Sequence, residues 1–414
     1  MDITITPSKL SGTVTAIPSK SQAHRLLICA ALSAKPTIIH CFETNQDIEA
    51  TVRCLNAIGA NIKRTDTGYY VIPIASIPDT AVMHCGESGS TLRFILPVVC
   101  ALGINTTIHM SGRLPDRPLS PMWEELVRMG CQLSRTSKNV IQTTGKLIPG
   151  EYIITGNVSS QFITGLLFAL SLLDGLSSIQ IKGKIESAPY VKMTQEALNQ
   201  FGVKTSDFQV RGSFPFQSPG ELCVEGDWSN AAFFIVADRL GNHINVNNLN
   251  MDSPQGDRGI LSILNQKSLM PVISAADIPD LVPILAVYFS VNGGAIFKDI
   301  KRLRLKESDR VTSVIKLLQS LGIDAIADEN TLTVHNGTIT GGIVDSCADH
   351  RIAMAAGIAA GVYKDYQEAI ERTVKITKTI YPRPEYKEIY EEKYARYRAV
   401  IDGLSSAWKH FKKD

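Results

Sequence analysis

Residues 18–32 read PSKSQAHRLLICAAL, a polar turn carrying Lys20, Ser21 and Arg25 followed at once by an apolar run. A small hydroxyl residue ahead of an apolar helical stretch marks a capped helix N-terminus. The arrangement recurs as CGESGSTLRFILPVVC from 85, GNVSSQFITGLLFALSLL from 156, EGDWSNAAFFIVA from 225, ADIPDLVPILAVYF from 276 and DSCADHRIAMAAGIAA from 345. The intervals are about 67, 71, 69, 51 and 69 residues. Such a period is too long for a solenoid and fits a unit of several strands and two helices. Between the caps lie β-branched stretches, TIIHCF, YYVIPIA, EYIITG, SIQIKG, HINVNNL and AIFKDI, that read as strands. Six units predict an α/β protein of two similar domains with three units each. One interval is about 20 residues short, and the fifth unit is expected to lack a strand pair.

Composition bounds the function. The chain has 414 residues, 44% of them hydrophobic and 20% charged, enough apolar material for two cores. A net charge of +2 excludes a protein that wraps a polyanion and leaves room for local clusters of Lys and Arg. The eight cysteines, at 29, 41, 54, 85, 100, 131, 223 and 347, form no CxxC pair and read as buried free thiols of a reducing compartment. The eight histidines show no metal-binding spacing. The N-terminus lacks a signal-peptide pattern and no apolar run reaches ~18 residues, so a cytoplasmic location without membrane attachment is expected.

Helix N-termini present free amides and the positive end of the dipole, so six of them converging would make a cleft for phosphates and carboxylates. Each motif alone also reads as an ordinary cap or a solvated charge run. Lys20 and Arg25 overlap in reach, and Ser21 is a candidate cap or ligand contact. Gly86-Glu87-Ser88-Gly89 lets backbone approach a ligand, with Arg93 behind it, and lacks the GK[ST] ending of a Walker loop. Residues 111–118, SGRLPDRP, present Arg117 for bidentate binding of an anion. Ser159, Ser160 and Gln161 open the third run. In KESDR, Lys306 and Arg310 are expected on one helix face at i and i+4. Asp280 sits at the expected cap of a wholly apolar helix, as a cap or a general base with a shifted pKa. Asp349-His350-Arg351 heads the sixth run, and residues 384–414 read as a terminal helix.

In chain order, IPSKSQAHR, SGSTLRF, the RP of PDRP, SSQF, QGD at 255–257, IPD at 278–280, KESDR and DHR resemble the 3-phosphoshikimate 1-carboxyvinyltransferase (EPSP synthase) family, over about residues 18–382. The resemblance implies a two-domain inside-out α/β barrel (EPT/RTPC-like), each domain three βαβαββ units around parallel helices. Domain I would comprise 1–18 plus 228–414 and domain II 19–227, with a hinge near Pro18 and Asp227. It implies transfer of the enolpyruvyl group of phosphoenolpyruvate to the 5-hydroxyl of shikimate 3-phosphate, in a monomer without metal or organic cofactor, membrane or nucleic acid. Shikimate 3-phosphate would meet Lys20, Ser21, Arg25, Ser159, Ser160, Gln161, Ser187, Tyr190, Asp280, Arg302 and Lys306. Phosphoenolpyruvate would meet Lys20, Gly89, Arg117, Gln161, Arg310, Arg351 and Lys378. Asp280 would take the hydroxyl proton, and Glu307 and Lys20 would handle the proton at C3. The family's inhibitor glyphosate is expected to bind beside Gly89.

Three positions depart from the family pattern: Glu87 and Arg302 where Asn is usual, and Lys378, one residue further from the following Pro than usual. The sister enzyme acting on UDP-N-acetylglucosamine carries Lys-Asn at the first cap and a catalytic Cys loop. Here the pair is Lys20-Ser21 and residues 111–118 hold no Cys. An inactive anion-binding relative and an RNA-binding protein are the remaining alternatives.

Overall fold

The computed structural model divides the chain into two units, Ile5–Ala369 and Met1–Thr4 with Ile370–Asp414. It describes Thr4 and residues 9–212 and 214–360, and every element below lies in the first unit. Lys378 and the expected helix over 384–414 lie outside the described residues.

After strand β1 (Ser11–Thr15), the first βαβαββ repeat unit runs α1 (Lys20–Ala31), β2 (Thr37–His40), α2 (Gln46–Ala57), β3 (Asn61–Arg64) and β4 (Gly68–Ile72). The second runs β5 (Thr80–Gly86), α3 (Gly89–Leu102), β6 (Asn105–Met110), α4 (Met122–Arg128), β7 (Cys131–Ser137) and β8 (Val140–Gly145). The third runs β9 (Glu151–Thr155), α5 (Ser160–Leu170), β10 (Leu176–Lys182), α6 (Ala188–Gln200), β11 (Thr205–Ser206) and β12 (Gln209–Arg211), and β13 (Glu221–Cys223) returns to the first. Next come α7 (Trp228–Arg239), β14 (His243–Asn247) and α8 (Ile260–Leu264). The fifth unit holds β15 (Val272–Ser274), α9 (Val282–Ser290), β16 (Ala295–Lys298), α10 (Arg310–Ser320), β17 (Ala325–Ala327) and β18 (Thr331–Val334), and α11 (His350–Ala360) opens the sixth.

Four sheets share one build, a parallel pair extended by an antiparallel hairpin: β13-β2-β4-β3, β5-β6-β8-β7, β9-β10-β12-β11 and β15-β16-β18-β17. This is the predicted βαβαββ unit. The unit short of its strand pair is the fourth, not the fifth. There, among the described residues, β14 pairs only with β1, in parallel from Ser11↔His243 to Thr15↔Asn247, and residues 265–271 lead straight from α8 to β15. The 51-residue interval that signalled the gap opens at the fourth cap, at 225.

The helices lie inside and the sheets outside, as composition dictates. Apart from Ser90 and Gln161, every residue of α3 and α5 is buried, and a helix apolar all round belongs in a core. Strands such as β5 alternate exposed and buried along TAVMHCG, one face wet and one dry. The buried side chains form two cores, one from residues between 23 and 224, the other from Leu10 and residues between 228 and 358. Between them the chain passes twice at adjacent points, joined by the Pro18↔Gly226 bridge and by hydrogen bonds from Ser19 N to Glu225 O and Asp227 N to Ile17 O, both 2.8 Å.

Ser19 caps α1 by accepting from Gln22 N, so Ser21 is not the cap but a first-turn residue. Ser88, Ser159 and Asp227 cap α3, α5 and α7. The fifth run has no side-chain cap, because α9 starts after Leu281 and its Pro283 supplies no amide to satisfy. All eight cysteines are free, but Cys223 is exposed and Cys347 half-buried, contrary to expectation. No helix among the described residues is long and apolar enough to cross a membrane.

Backbone meets backbone closely where α5 crosses α3: a Cβ on Gly165 would lie 2.1 Å from the Arg93 carbonyl oxygen. Backbone cannot yield as a side-chain tip can. Gly165→Ala is therefore expected to lose about 1–3 kcal/mol of unfolding free energy in urea denaturation, reversing the usual benefit of Ala within a helix.

Candidate active site

The N-termini of α1, α3, α5 and α11, with the loops before α4, α6, α9 and α10, surround one cavity of about 510 Å³. Its lining includes Lys20, Arg25, Arg93, Arg113, Arg117, Arg302, Lys306 and Arg351 against the carboxylates Asp47, Glu87, Asp280 and Glu307. Of the remaining candidates, Ser21, Gly89, Ser159, Ser160, Gln161, Ser187 and Tyr190 also face it. Arg310 does not. It is buried behind the wall at 1% exposure.

Arg310 donates through all three guanidinium nitrogens to carboxylates, from Nε to Asp349 at 2.9 Å, from Nη1 to Asp280 at 2.5 Å and from Nη2 to Glu307 at 2.6 Å. Lys306 and Arg310 do not share a helix. Asp309 caps α10 by accepting from Thr312 N, so the helix begins at Arg310 and Lys306 ends the preceding 3₁₀ turn. Asp280 is not a helix cap. Its Oδ2 accepts from Arg351 Nη2 at 3.1 Å and from the Tyr190 hydroxyl at 3.4 Å, and Lys306 Nζ lies 3.5 Å from Oδ1. Burial pushes the Asp280 pKa up, but Arg351, Lys306 and Arg310 outweigh it and hold the carboxyl well below its usual range. Glu307 stays ionised for the same reason, burial being overcome by Arg310, Lys306 and Lys20. Arg302 donates to Ser187 Oγ at 3.0 Å, across from Glu186 at 3.5 Å.

The opposite wall is differently charged. Arg93 donates to Gln161 Oε1 at 2.8 Å and to the Pro118 carbonyl at 3.0 Å, and its Nε is buried without a partner among the described residues. Burial and the like charges of Arg117 and Arg302 push its pKa down, with Glu307 opposing. Both guanidinium groups point at Gly89, where an added Cβ would meet Arg117 Nη1 at 2.7 Å and Arg93 Nη1 at 2.8 Å. Among the described residues neither arginine has a carboxylate partner. Glu87 turns toward Gly112 rather than Arg93: a Cβ on Gly112, whose φ is +54°, would meet the Glu87 carboxyl carbon at 2.1 Å.

Two buried polar chains hold this wall. Arg25 bonds Thr194 Oγ1 and the Tyr190 carbonyl, both at 2.8 Å, and Thr194 bonds Thr164 at 2.8 Å, tying α1 to α6 and α5. His24 Nδ1 meets Thr51 at 2.7 Å, Thr51 meets Thr91 at 2.7 Å, and Thr91 donates to the cap Ser88 at 2.7 Å, tying α1 through α2 to α3. Sequence reasoning missed these residues and also Asp47, which pairs with Lys20 at 2.9 Å. Asp47 follows the cap Asn45 as a first-turn acid, an ordinary helix signal, so nothing local marks its reach to α1.

The sequence profile described as EPSP synthase (3-phosphoshikimate 1-carboxyvinyltransferase) matches residues 5–270 and 265–387. The chain belongs to the EPSP synthase family. It is similar to the 3-phosphoshikimate 1-carboxyvinyltransferase of Clostridium kluyveri, at 36% identity over 406 residues, 92% of this chain and 95% of the relative. The Clostridium perfringens (strain SM101) counterpart is 35% identical over 92% of this chain and 96% of its own length. In three dimensions the chain is similar to the EPSP synthase of Acinetobacter baumannii, with a TM-score of 0.71 at 21% identity, covering 89% of this chain and 94% of that one. That likeness agrees with the inside-out α/β fold.

His24 gives the site a pH signature. Burial, with Lys20 and Arg25 adding and Asp47 opposing, pushes its imidazole down to about 3, against ~6.5 unfolded. The unfolded chain therefore binds the proton first, and the stability from neutral His24 is whole above pH ~6.5 and is lost as pH falls toward about 3. Between pH 7 and 5 the native chain is expected to lose up to about 2 kcal/mol more than His24→Asn, measured by urea unfolding at both pH values.

Proposed function

We propose that this cavity holds shikimate 3-phosphate and phosphoenolpyruvate side by side and transfers the enolpyruvyl group to the 5-hydroxyl, giving EPSP and phosphate by addition and elimination. The observation that carries the reading is the asymmetry of the walls. Arg93 and Arg117 converge without carboxylate partners on Gly89, facing a wall where Asp280 and Glu307 are ionised among cations. The first is a cradle for a dianionic phosphate and a carboxylate. The second handles protons.

In this reading Ser159, Ser160, Gln161, Ser187, Tyr190, Arg25 and Arg302 receive shikimate 3-phosphate, with Ser21, Lys20 and Lys306. Lys20, Gly89, Gln161, Arg117 and Arg351 receive phosphoenolpyruvate, with Arg310 acting from behind through the carboxylates it holds. Asp280 takes the 5-hydroxyl proton as the oxygen attacks C2. The Lys20 ammonium supplies the proton to C3. Ionised Glu307 removes a proton from C3 when phosphate leaves. Two mutually repelling anions need such a set, and holding them in reacting geometry lowers the barrier by up to ~7–11 kcal/mol. In this reading the chain acts as a monomer. Domain I (1–18 plus 228–414) closes on domain II (19–227) about the paired crossings at Pro18 and Asp227 and excludes water.

The discriminating assay is phosphate release from phosphoenolpyruvate. Release is expected with shikimate 3-phosphate and none with UDP-N-acetylglucosamine, and glyphosate is expected to inhibit in competition with phosphoenolpyruvate. No release with either acceptor would overturn the enzymatic reading.

A further inference from the structure

Tyr190 and the QGD segment leave one group without a role. Asp257 lies in the 3₁₀ turn Gly256–Gly259, 2% exposed, and does not reach the cavity. Its Oδ2 accepts from the Tyr190 hydroxyl at 3.1 Å, while its Oδ1 is buried with no hydrogen-bond partner among the described residues. A buried carboxylate oxygen with no donor is costly. A proton taken on Oδ2 removes the charge that Oδ1 holds without a donor. The same Tyr190 hydroxyl lies 3.4 Å from Asp280 Oδ2, so the phenol bridges the two carboxylates.

We propose that Asp257 is the proton store of the transferase reaction, receiving through the Tyr190 hydroxyl the proton that Asp280 takes from the acceptor. This rests on the reading of Asp280 as base. As the substrate O–H bond breaks, an O–H bond forms on Asp280. Asp280 then gives that proton to the Tyr190 oxygen, while the phenol's own proton crosses to Asp257 Oδ2. Tyr190 ends as it began, Asp280 is again a carboxylate, and Asp257 is a neutral acid. The proton leaves to water when the cleft empties, so charge and atoms balance over a turnover. Asp257 touches no substrate and acts as a positioning residue through Tyr190.

The surroundings give the transfer its direction. Asp280 is a poor resting place for a proton, because Arg351, Lys306 and Arg310 overcome its burial and stabilise its anion. Asp257 faces the opposite balance. Burial and the Asp280 and Asp227 carboxylates raise its pKa to about 7, opposed by Arg351 and the Tyr190 hydroxyl. Environments that drive two neighbouring carboxyl groups apart in this way separate their roles. Arg351 is shared, since its Nη2 donates to Asp280 at 3.1 Å and to Ser229 Oγ at 2.9 Å, and Ser229 donates to Asp227 at 2.5 Å.

The test is the pH dependence of kcat, from pH 5.5 to 9, in the native enzyme, Asp257→Asn, Tyr190→Phe and Asp280→Asn, with shikimate 3-phosphate affinity measured by calorimetry. The expected native profile has an acid limb near neutrality, because Asp257 must begin as a carboxylate. Asp257→Asn, which keeps the shape but accepts no proton, is expected to lower kcat at least tenfold, remove that limb and leave shikimate 3-phosphate affinity within about threefold. Tyr190→Phe, which keeps both carboxylates, is expected to lose the limb likewise, so the answer does not rest on one variant. If Asp280→Asn is inactive while Asp257→Asn keeps the native kcat and limb, the store is overturned and the base reading stands. If Asp280→Asn stays active, both fall.

Discussion

The second wall of the cleft depends on one buried cation. Arg310, 1% exposed, spends its guanidinium on Asp280, Glu307 and Asp349. These lie before α9, before α10 and at the head of α11, three separate stretches drawn to one point. Three acids so close would repel strongly without a central charge, and removing one partner from a buried ionic set is costly. Lys could not replace Arg here, since a point charge lacks the planar fork that faces three acceptors. The same contact keeps Asp280 and Glu307 anionic, a chemical requirement met by a structural bond.

The first wall obeys a different constraint. Helices α1, α3 and α5 are so fully buried that their only polar openings are at their N-termini and on first-turn residues such as Ser90 and Gln161. Caps Ser19, Ser88 and Ser159 satisfy some of the free amides, and the chains from His24 and Arg25 lock the helices in register. Cations without carboxylate partners in this low-dielectric setting are unfavourable until an anion arrives. Arg93 and Arg117 thus keep in the empty cleft an electrostatic cost that a bound phosphate and carboxylate relieve.

Much of this was legible in the sequence. The rhythm of capped apolar runs carries the repeated unit, because a cap followed by a helix apolar all round is a local signal with one physical meaning. The hairpin missing after α8 showed as a short interval, although its place was read one unit late. Part of the cavity lining also followed, Lys20, Ser21, Ser159, Ser160 and Gln161 among it, because these sit within a turn of a cap. What failed was orientation. The cap reading offered for Ser21, beside that of a ligand contact, fell because nothing local separates it from Ser19. Asp280 read as a cap or a base without its partners, and Lys306 with Arg310 as one helix face, because Tyr190, Arg351 and Asp349 come from segments distant in sequence. Asp47, Asp257 and the Thr51–Thr91 link were invisible for the same reason: each matters only through a neighbour that the fold supplies.

The central claim is that the cations beside Gly89, which have no carboxylate partner among the described residues, hold phosphoenolpyruvate against bound shikimate 3-phosphate. It is tested most directly by calorimetric titration of phosphoenolpyruvate into Arg117→Ala saturated with shikimate 3-phosphate. A charge-assisted contact contributes about 1.5–3 kcal/mol, so the account predicts affinity lower by roughly tenfold to a hundredfold, with shikimate 3-phosphate affinity unchanged. Unchanged phosphoenolpyruvate affinity in that variant would contradict it.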